Sequence, residues 1–349
     1  MKAKIAVVGT GWWATANHLP ALTEHPNAEI VAVCDVDETK AQKAADEFDI
    51  KTVYTDLDTM LANETLDGVM VATYHAAHYP VAKTCLEHDL HVYIEKPMVL
   101  FAEEARDLVM LADEKGLQIV MGYNHNHNDF VSHARDLVEN GEIGEIQYVT
   151  GQFSQAIFNI LQGKTDHMQT RVHGPGDVYS DPVRSGGGQG HLQTTHLAGM
   201  LFFVTGLRVQ RVQAMMQNLD LAVDVVNAMT VQFDNGSLGT FGGTGNTRGG
   251  GRCFKLTVYG DKGWIDIDDS SKKMVVHREE HEPQYYETDV HPFFAPTHNF
   301  VDVINGKADN LCSGLLGWRA VELLDAAYRS ANNDGKAVYL EELYTGETT

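Results

Sequence analysis

Short apolar runs alternate with longer segments of helical spacing over the first 122 residues of the chain. The apolar runs are rich in Val and Ile and are bounded by turn residues, which is typical of buried strands. They predict strands at 4–8, 30–34, 68–72, 91–94 and 118–121, with helices at 14–25, 37–48, 78–88 and 101–115. Strands separated by helices indicate βαβ units and therefore a doubly wound parallel sheet.

The pattern changes after residue 122, where one predicted helix, 130–139, is followed by a series of strands. These strands are predicted at 146–153, 209–216, 228–233, 237–242, 254–259, 264–268 and 273–277. Asn235-Gly236 is a typical hairpin turn, and consecutive strands of this kind predict an open, mostly antiparallel sheet. Helices at 299–305 and 316–332 close the chain. We therefore expect two α/β domains, residues 1–122 and 123–349.

The composition of the chain limits the kinds of partner that it is expected to bind. The chain has 349 residues, 26 Lys and Arg against 48 Asp and Glu, and a formal net charge of −22. Such a charge opposes binding to nucleic acid and to anionic membranes. The four cysteines show no CxxC pair, no signal peptide precedes the first strand, and no apolar stretch is long enough to span a bilayer. These features predict a soluble cytoplasmic protein.

A glycine motif follows the first strand and opens the first helix. In the order GxGxxA, Gly9 would make the tight turn, Gly11 would let the backbone approach a pyrophosphate, and Ala14 would allow close packing. Asp35 ends the second strand, where a carboxylate accepts hydrogen bonds from the adenosine ribose. The alternative is a plain strand–helix turn, which the context disfavours. The motif therefore predicts a dinucleotide-binding Rossmann domain.

The acidic side chains near this motif favour NAD over NADP. A 2′-phosphate would meet the carboxylates of Asp35 and Asp37, and no Arg lies nearby in the sequence. Asp37 by itself is better interpreted as the N-cap of its helix.

Several motifs in a fixed order resemble the glucose–fructose oxidoreductase / inositol dehydrogenase / MocA (Gfo/Idh/MocA) family. They are Glu95-Lys96-Pro97 after the strand at 91–94, the segment 72–78, Gly122-Tyr123-Asn124, Ser185-Gly186-Gly187-Gly188 with His196, 259–263 and 326–330. The resemblance implies a Rossmann domain followed by a domain with an open antiparallel sheet that carries the interface of a homodimer or homotetramer. It also implies a sugar-like small-molecule substrate.

The glycine motif and the resemblance together give a set of cofactor-binding residues. That set is Gly9, Gly11, Trp12, Trp13, Asp35, Thr73, His75, His78, Glu95, Lys96 and Asn124.

Hydride transfer from an alcohol requires a base for the hydroxyl proton and a group that polarises the oxygen. The resemblance implies that Lys96 is the donor or proton shuttle and that His196 is the base. The alternatives are a surface lysine held by Pro97 and an ordinary core histidine. Leu192 stands where the family usually has an aspartate, so a lysine–aspartate–histidine set cannot be assumed.

Other polar residues are candidates for substrate binding. His125 follows the last strand of the first half, at the edge that faces a ligand in parallel sheets. His173 and Arg184 lie in the long segment 155–185, together with His167, and such segments are often functional, although solvated surface is the alternative. The complete predicted substrate set is Lys96, His125, His173, Arg184, His191, Gln193 and His196. We predict no metal site, because His125 and His127 have no Cys or carboxylate at ligand spacing.

These residues leave two enzymatic hypotheses. One is an NAD-dependent dehydrogenase that oxidises a hydroxyl of a sugar, polyol or sugar derivative and releases NADH. The other keeps NAD bound and recycles it while a glycoside is cleaved or epimerised through a keto-sugar. A non-catalytic NAD-dependent sensor is disfavoured, because Lys96 and His196 are both present.

Overall fold

Two separate sheets organise the chain. The computed structural model describes residues 2–165, 168, 170–288 and 293–345. In the first half, six parallel strands lie in the order β3-β2-β1-β4-β5-β6. Their bounds are β1 Ala3–Val8, β2 Ala28–Cys34, β3 Thr52–Tyr54, β4 Gly68–Val71, β5 His91–Ile94 and β6 Ile119–Met121. This order confirms the doubly wound parallel sheet that the sequence predicts.

The helices of the first half cover both faces of this sheet. They are α1 Leu19–Glu24, α2 Glu38–Phe48, α3 Leu57–Asn63, α4 His78–Glu87 and α5 Ala102–Lys115. Asp37 is the N-cap of α2, since its side chain accepts a hydrogen bond from the Lys40 amide at 3.2 Å. The sequence analysis missed β3 and α3, which are short and show little burial contrast along the chain.

The second half contains a nine-stranded sheet. Its order is β14-β13-β12-β11-β7-β10-β9-β8-β15, and the β7–β10 pair is parallel whereas the other pairs are antiparallel. The bounds are β7 Ile146–Gln155, β8 Val209–Gln217, β9 Val226–Phe233, β10 Leu238–Thr244, β11 Arg252–Gly260, β12 Gly263–Asp268, β13 Lys273–Arg278, β14 Gln284–Glu287 and β15 Val338–Tyr339. The mostly antiparallel sheet is therefore confirmed, including the hairpin through Asn235-Gly236.

The helices of the second half are α6 Asp129–Glu139, α7 Phe158–Leu161, α8 Pro182–Ser185, α9 Thr195–Thr205, α10 Ala295–Ile304 and α11 Gly314–Asn332. Of these, α6, α9 and α11 cover one face of the second sheet. Helix α9 is buried almost throughout, so it forms the centre of the core between the sheet, α6 and α11. The opposite face of the sheet leaves large side chains such as Tyr148 and Tyr259 exposed.

The chain returns to the first sheet near its end. Phe300 and Val301 of α10 pack in one buried cluster with Ile5 and Val7 of β1. The Met121 amide donates to the Cys312 carbonyl at 2.7 Å. The two halves are thus joined at Gly122 and again through α11, which contacts α5 of the first half and β8 of the second.

Within the described residues, no helix is both long enough and apolar enough to cross a membrane.

Candidate functional site

The glycine turn has the shape that a dinucleotide needs. Gly9 has φ +91°, and a Cβ there would lie 2.6 Å from the carbonyl carbon of Ala72, so only glycine fits. At Gly11 a Cβ would meet no atom within 4 Å. The backbone therefore has open space at the position where the motif predicts a pyrophosphate, beside the helical segment that begins at Trp12.

Asp35 lies directly beside this turn. Its Oδ2 accepts hydrogen bonds from the Thr10 amide at 2.8 Å and the Thr10 hydroxyl at 3.0 Å, and its Oδ1 accepts from the Asp37 amide at 3.0 Å. These bonds fix the carboxylate at the carboxyl end of β2. No arginine side chain is among its partners in the described part of the chain. The residues present fit NAD.

His75 and His78 of the predicted cofactor loop are buried and bound to backbone carbonyls. His78 Nδ1 lies 2.8 Å from the Pro97 oxygen, and His75 Nδ1 lies 2.8 Å from the Ser185 oxygen. Burial lowers the pKa of both imidazoles. These contacts position the lysine loop and the glycine-rich loop. Thr73, in the same segment, donates its hydroxyl to the Tyr74 carbonyl at 3.3 Å.

Glu95 is a buried carboxylate that holds the lysine loop, Glu95-Lys96-Pro97, in place. His18 Nε2 lies 2.9 Å from its Oε1, the Tyr93 hydroxyl donates at 3.1 Å, and the Lys96 amide donates to Oε2 at 3.1 Å. Burial alone would raise the pKa of Glu95, but the hydrogen bond and charge of His18 and the charge of Lys96 lower it. Sequence reasoning missed His18, which lies 2.9 Å from the Thr297 hydroxyl as well.

Lys96 connects the two halves of the molecule. Its Nζ donates to the Leu192 carbonyl at 3.2 Å, and burial lowers its pKa although Glu95 opposes that effect. The Leu192 side chain points elsewhere, into an apolar cluster that contains Ile157, Leu161, Val223 and Val225. The backbone oxygen of Leu192 therefore contacts Lys96, whereas the Leu192 side chain packs in the apolar cluster.

His196 lies at the start of α9, one helical turn after Leu192, and is preceded by the π-helical turn Gly190–Thr194. It is 9% exposed, and its Nδ1 is buried without a hydrogen-bond partner in the described part of the chain. Burial, reinforced by the charges of Lys96, His125 and Arg252, lowers its pKa well below the usual range. The imidazole is therefore neutral at physiological pH.

A buried cluster of charged side chains lies beside His196. The His125 ring is 5.2 Å from the His196 ring, and its Nδ1 is 3.0 Å from Asp269 Oδ2. Asp269 also contacts Arg252 at 2.9 Å, Lys272 at 3.3 Å and the Asn128 amide nitrogen at 2.7 Å. Sequence reasoning found only His125, because the other residues come from distant segments that meet only in the fold.

The glycine-rich loop packs against protein groups. A Cβ at Gly188 would lie 2.0 Å from the Asp224 carbonyl oxygen, and one at Gly190 would lie 2.4 Å from the Tyr328 hydroxyl. The Asp224 carboxylate accepts from both loop amides, at 2.6 and 2.9 Å, and from the Tyr328 hydroxyl at 2.6 Å. The absence of side chains at these glycines thus admits Tyr328 and Asp224, which hold the start of the α9 segment.

Five further residues of the predicted cofactor and substrate sets are buried or half-buried. His191 packs its ring 4.5 Å from that of Tyr328, and burial lowers its pKa to about 4. Gln193 and Asn124 are both buried. Trp12 and Trp13 are half-buried and meet edge to face at 5.7 Å.

His173 and Arg184 have contacts of a different kind. His173 Nε2 lies 3.4 Å from the Lys40 carbonyl of α2, and Arg184 pairs with Asp177 at 3.0 Å and Asp181 at 2.7 Å. Their contacts within the described residues do not join them to the catalytic candidates. His167, from the same segment, lies outside the residues that the structure describes.

No group of three potential metal ligands occurs among the described residues. His125 contacts Asp269, whereas His127 Nε2 lies 3.8 Å from Cys312 Sγ, so the two histidines do not converge.

Comparison with known proteins supports this architecture. A family model described as an oxidoreductase family with an NAD-binding Rossmann fold matches residues 3–123, and a GFO/IDH/MocA C-terminal domain model matches residues 131–266. The solved structure of an inositol dehydrogenase homolog from Azotobacter vinelandii, complexed with NAD+, superposes with a TM-score of 0.82 at 18% identity. That superposition covers 97% of each chain.

The sequence matches to curated relatives cover only part of this chain and part of each relative. A D-xylose 1-dehydrogenase [NADP(+)] of Haloarcula marismortui is 29% identical over 45% of this chain and 45% of its own. A 2,7-anhydro-N-acetylneuraminate hydratase of Mediterraneibacter gnavus is 34% identical over 41% of this chain and 37% of its own. The chain thus spans less than half the length of these relatives in the matches.

The two family models follow one another along the chain and correspond to the two sheets seen in the structure. The motifs that carried the resemblance lie within the same architecture. The chain belongs to the Gfo/Idh/MocA family of NAD-binding oxidoreductases, which includes enzymes that act on sugars and polyols.

Proposed function

We propose that this protein oxidises a hydroxyl group of a sugar, polyol or sugar derivative by hydride transfer to NAD. The observation that carries the proposal is the 3.2 Å hydrogen bond from Lys96 Nζ to the Leu192 carbonyl. This bond brings the lysine of the Rossmann half beside the segment that leads to His196, close enough for the charge of Lys96 to act on that imidazole.

The proposed chemistry divides the roles between two side chains. NAD, when bound, supplies the acceptor for the hydride from the substrate carbon. Lys96 donates a hydrogen bond to the substrate oxygen and stabilises the negative charge that develops there. His196, which burial keeps neutral, accepts the hydroxyl proton. Glu95 and its partner His18 hold the lysine loop in place.

A second candidate retains NAD and uses it in both directions, with cleavage or epimerisation of a glycoside in between. The long connection between β7 and α9 favours slow cofactor exchange, because it contacts the helix that follows Asp35. Arg171 pairs with Glu47 of α2 at 2.7 Å, and His173 reaches the Lys40 carbonyl of the same helix. The hydratase of Mediterraneibacter gnavus is a relative whose name describes no net oxidation. Net NADH formation on a panel of sugars, polyols and glycosides separates the two.

We further propose that the protein resides in a reducing cytoplasm. Cys34, Cys85, Cys253 and Cys312 are all free thiols. Burial raises the pKa of each of them, so the thiols stay protonated and unreactive.

Substitution of the two catalytic candidates tests the proposed chemistry. Lys96→Ala should leave the Kd for NAD within a few-fold and lower turnover about 100-fold or more, as expected for loss of a positioned proton-transfer group.

His196→Ala should abolish most activity and keep the fold. His191→Ala and Gln193→Ala should cost less, and His88→Ala, an exposed histidine on the first domain, is the matched control. Steady-state kinetics and circular dichroism measure these effects, and a loss greater at position 191 or 193 than at 196 would reassign the base.

The pH profile should show the lowered pKa of His196. The neutral imidazole is the active base, so activity is present above the folded pKa and is lost only as pH falls through it. An unperturbed histidine would lose about half of its base form near pH 6.5. We therefore expect kcat/KM to stay nearly constant from pH 8 to pH 6 and to decline only in more acidic buffer. A half-loss of activity at pH 6.5 would contradict the neutral, buried base.

Cofactor preference should depend on Asp35. Titration of both nucleotides should give tighter binding of NAD than NADP, because the carboxylate repels a 2′-phosphate and no cation next to it compensates. Asp35→Ser should lower this preference about tenfold or more, whereas Asp37→Ser should mainly reduce stability, by about 1 kcal/mol through loss of the helix cap. Equal or tighter binding of NADP by the unaltered protein would refute the preference.

We further propose that the exposed face of the second sheet packs against another copy of the chain. Tyr148, Tyr259, Trp264 and His277 form a continuous row of rings across β7, β11, β12 and β13, with centroids 5.9, 5.7 and 3.8 Å apart. Leu238 extends the row on β10 and is 53% exposed. An apolar row of this kind is typical of an interface.

Light scattering should give the mass of a dimer or tetramer for the unaltered chain. Tyr259→Lys should shift the mass toward the monomer, because it buries a charge in the interface. The control Met110→Lys alters an exposed apolar residue on α5, away from this sheet face, and should leave the mass unchanged. A monomer at all concentrations would rule out this interface.

A further inference from the structure

Arg252 lies on the inner face of the second sheet, close to His196. Alternation along β11 places Arg252 and Phe254 on the same face, and the Phe254 ring stacks on Phe153 at 4.4 Å. The Phe153 ring is 6.0 Å from the His196 ring. Arg252 is therefore part of the wall that surrounds the proposed base, although no sequence motif marks it.

The guanidinium is held in one orientation. Its Nη2 donates to Asp269 Oδ2 at 2.9 Å and to His125 Nε2 at 3.3 Å, and the group lies over the rings of Phe153 and Phe254 at 5.1 and 5.4 Å. A guanidinium can only donate, so His125 Nε2 accepts and the imidazole proton lies on Nδ1, a nitrogen 3.0 Å from Asp269 Oδ2. His125 thus orients the arginine.

The charges around this arginine do not balance. Asp269 is fully buried and is the carboxylate that both Arg252 and Lys272 contact. Burial outweighs the effect of Asp269 and lowers the pKa of His125, so the imidazole is neutral and adds no charge to the cluster. The single negative charge of Asp269 therefore faces two positive charges, those of Arg252 and Lys272. In addition, Arg252 Nε is buried and has no hydrogen-bond partner among the residues that the structure describes. A buried donor of this kind is costly unless a ligand satisfies it.

From this geometry we propose that Arg252 binds an anionic group of the substrate, which makes the substrate an acidic sugar or polyol derivative such as an aldonate or a uronate. The inference rests on the proposed function and specifies its substrate class. An oriented guanidinium with a free donor matches a carboxylate, and the same chemistry also accepts a phosphate. A hydroxyl of a neutral sugar could accept a hydrogen bond from Nε but would leave the excess positive charge without a counter-charge.

The overall charge of the protein does not oppose this assignment. The chain carries a formal net charge of −22, but charges on the outer surface are screened beyond about 8 Å at physiological ionic strength. The side chains of Arg252 and Lys272 are only 23% and 12% exposed, so their charges are screened much less. The local excess of positive charge therefore determines which ligand is favoured once it enters the cleft.

Calorimetric titration tests the proposal without requiring turnover. The protein saturated with NADH is titrated with D-gluconate, D-glucuronate, D-glucose 6-phosphate and D-glucose. We expect the anionic compounds to bind about 10- to 100-fold more tightly than glucose, the range for a hydrogen bond to a charged group. Arg252→Met should remove this preference and Arg252→Lys should retain part of it. Lys255→Met, which removes an exposed cation from the same strand, is the matched control and should retain it fully.

The outcomes distinguish this proposal from the function on which it rests. Tighter binding of the sugar phosphate than of the sugar acids would support the anion site and identify phosphate as its ligand. Equal binding of glucose and the anions, or a preference that survives in Arg252→Met, would overturn the proposal. Binding that depends on Arg252, with neither NADH nor any sugar product formed, would uphold the anion site and refute the dehydrogenase function. Unfolding temperature and NADH affinity are measured for each variant, and Arg252→Lys replaces Arg252→Met if the latter does not fold.

Discussion

The hydrogen bond between Lys96 Nζ and the Leu192 carbonyl is the contact on which the proposed site depends. It joins a loop at the end of a Rossmann strand to the segment that begins α9, so it fixes a lysine of one sheet against a helix of the other. On the lysine side, the buried Glu95 and its partner His18 hold the loop. On the helix side, Asp224 and Tyr328 hold the glycine-rich approach.

Burial gives the site its chemical character. Desolvation lowers the pKa of Lys96 and of the surrounding histidines, because a charged form loses its hydration when it leaves water. Neutral imidazoles pack closely here, and the excess positive charge remains on Arg252 and Lys272 around a single carboxylate. The same desolvation that stabilises a neutral base therefore also creates a strong local preference for an anion, which connects the proposed mechanism with the proposed substrate class.

The departure at position 192 shows why a motif does not by itself define a site. Leu192 stands where the resemblance implies an aspartate. In the structure the Leu192 side chain joins the apolar cluster with Ile157 and Val223, and its carbonyl contacts Lys96. A buried carboxylate, Asp269, reaches the vicinity of His196 through His125. The Leu192 carbonyl contacts Lys96, and Asp269, which directly follows β12, contacts His125. Side-chain patterns in the sequence could not reveal either contact.

The sequence by itself determined both sheets, most element boundaries, the glycine turn and the lysine loop, because hydrophobic periodicity and turn chemistry are local properties. It also indicated Lys96, His196 and His125 through motifs and strand ends. Only the tertiary structure decided what surrounds them. His18, Asp224, Arg252 and Asp269 carry no local signal, since their roles arise from contacts across tens to hundreds of residues. Such contacts form only when the two sheets pack together, and the burial that sets the charge state of the site appears at the same step.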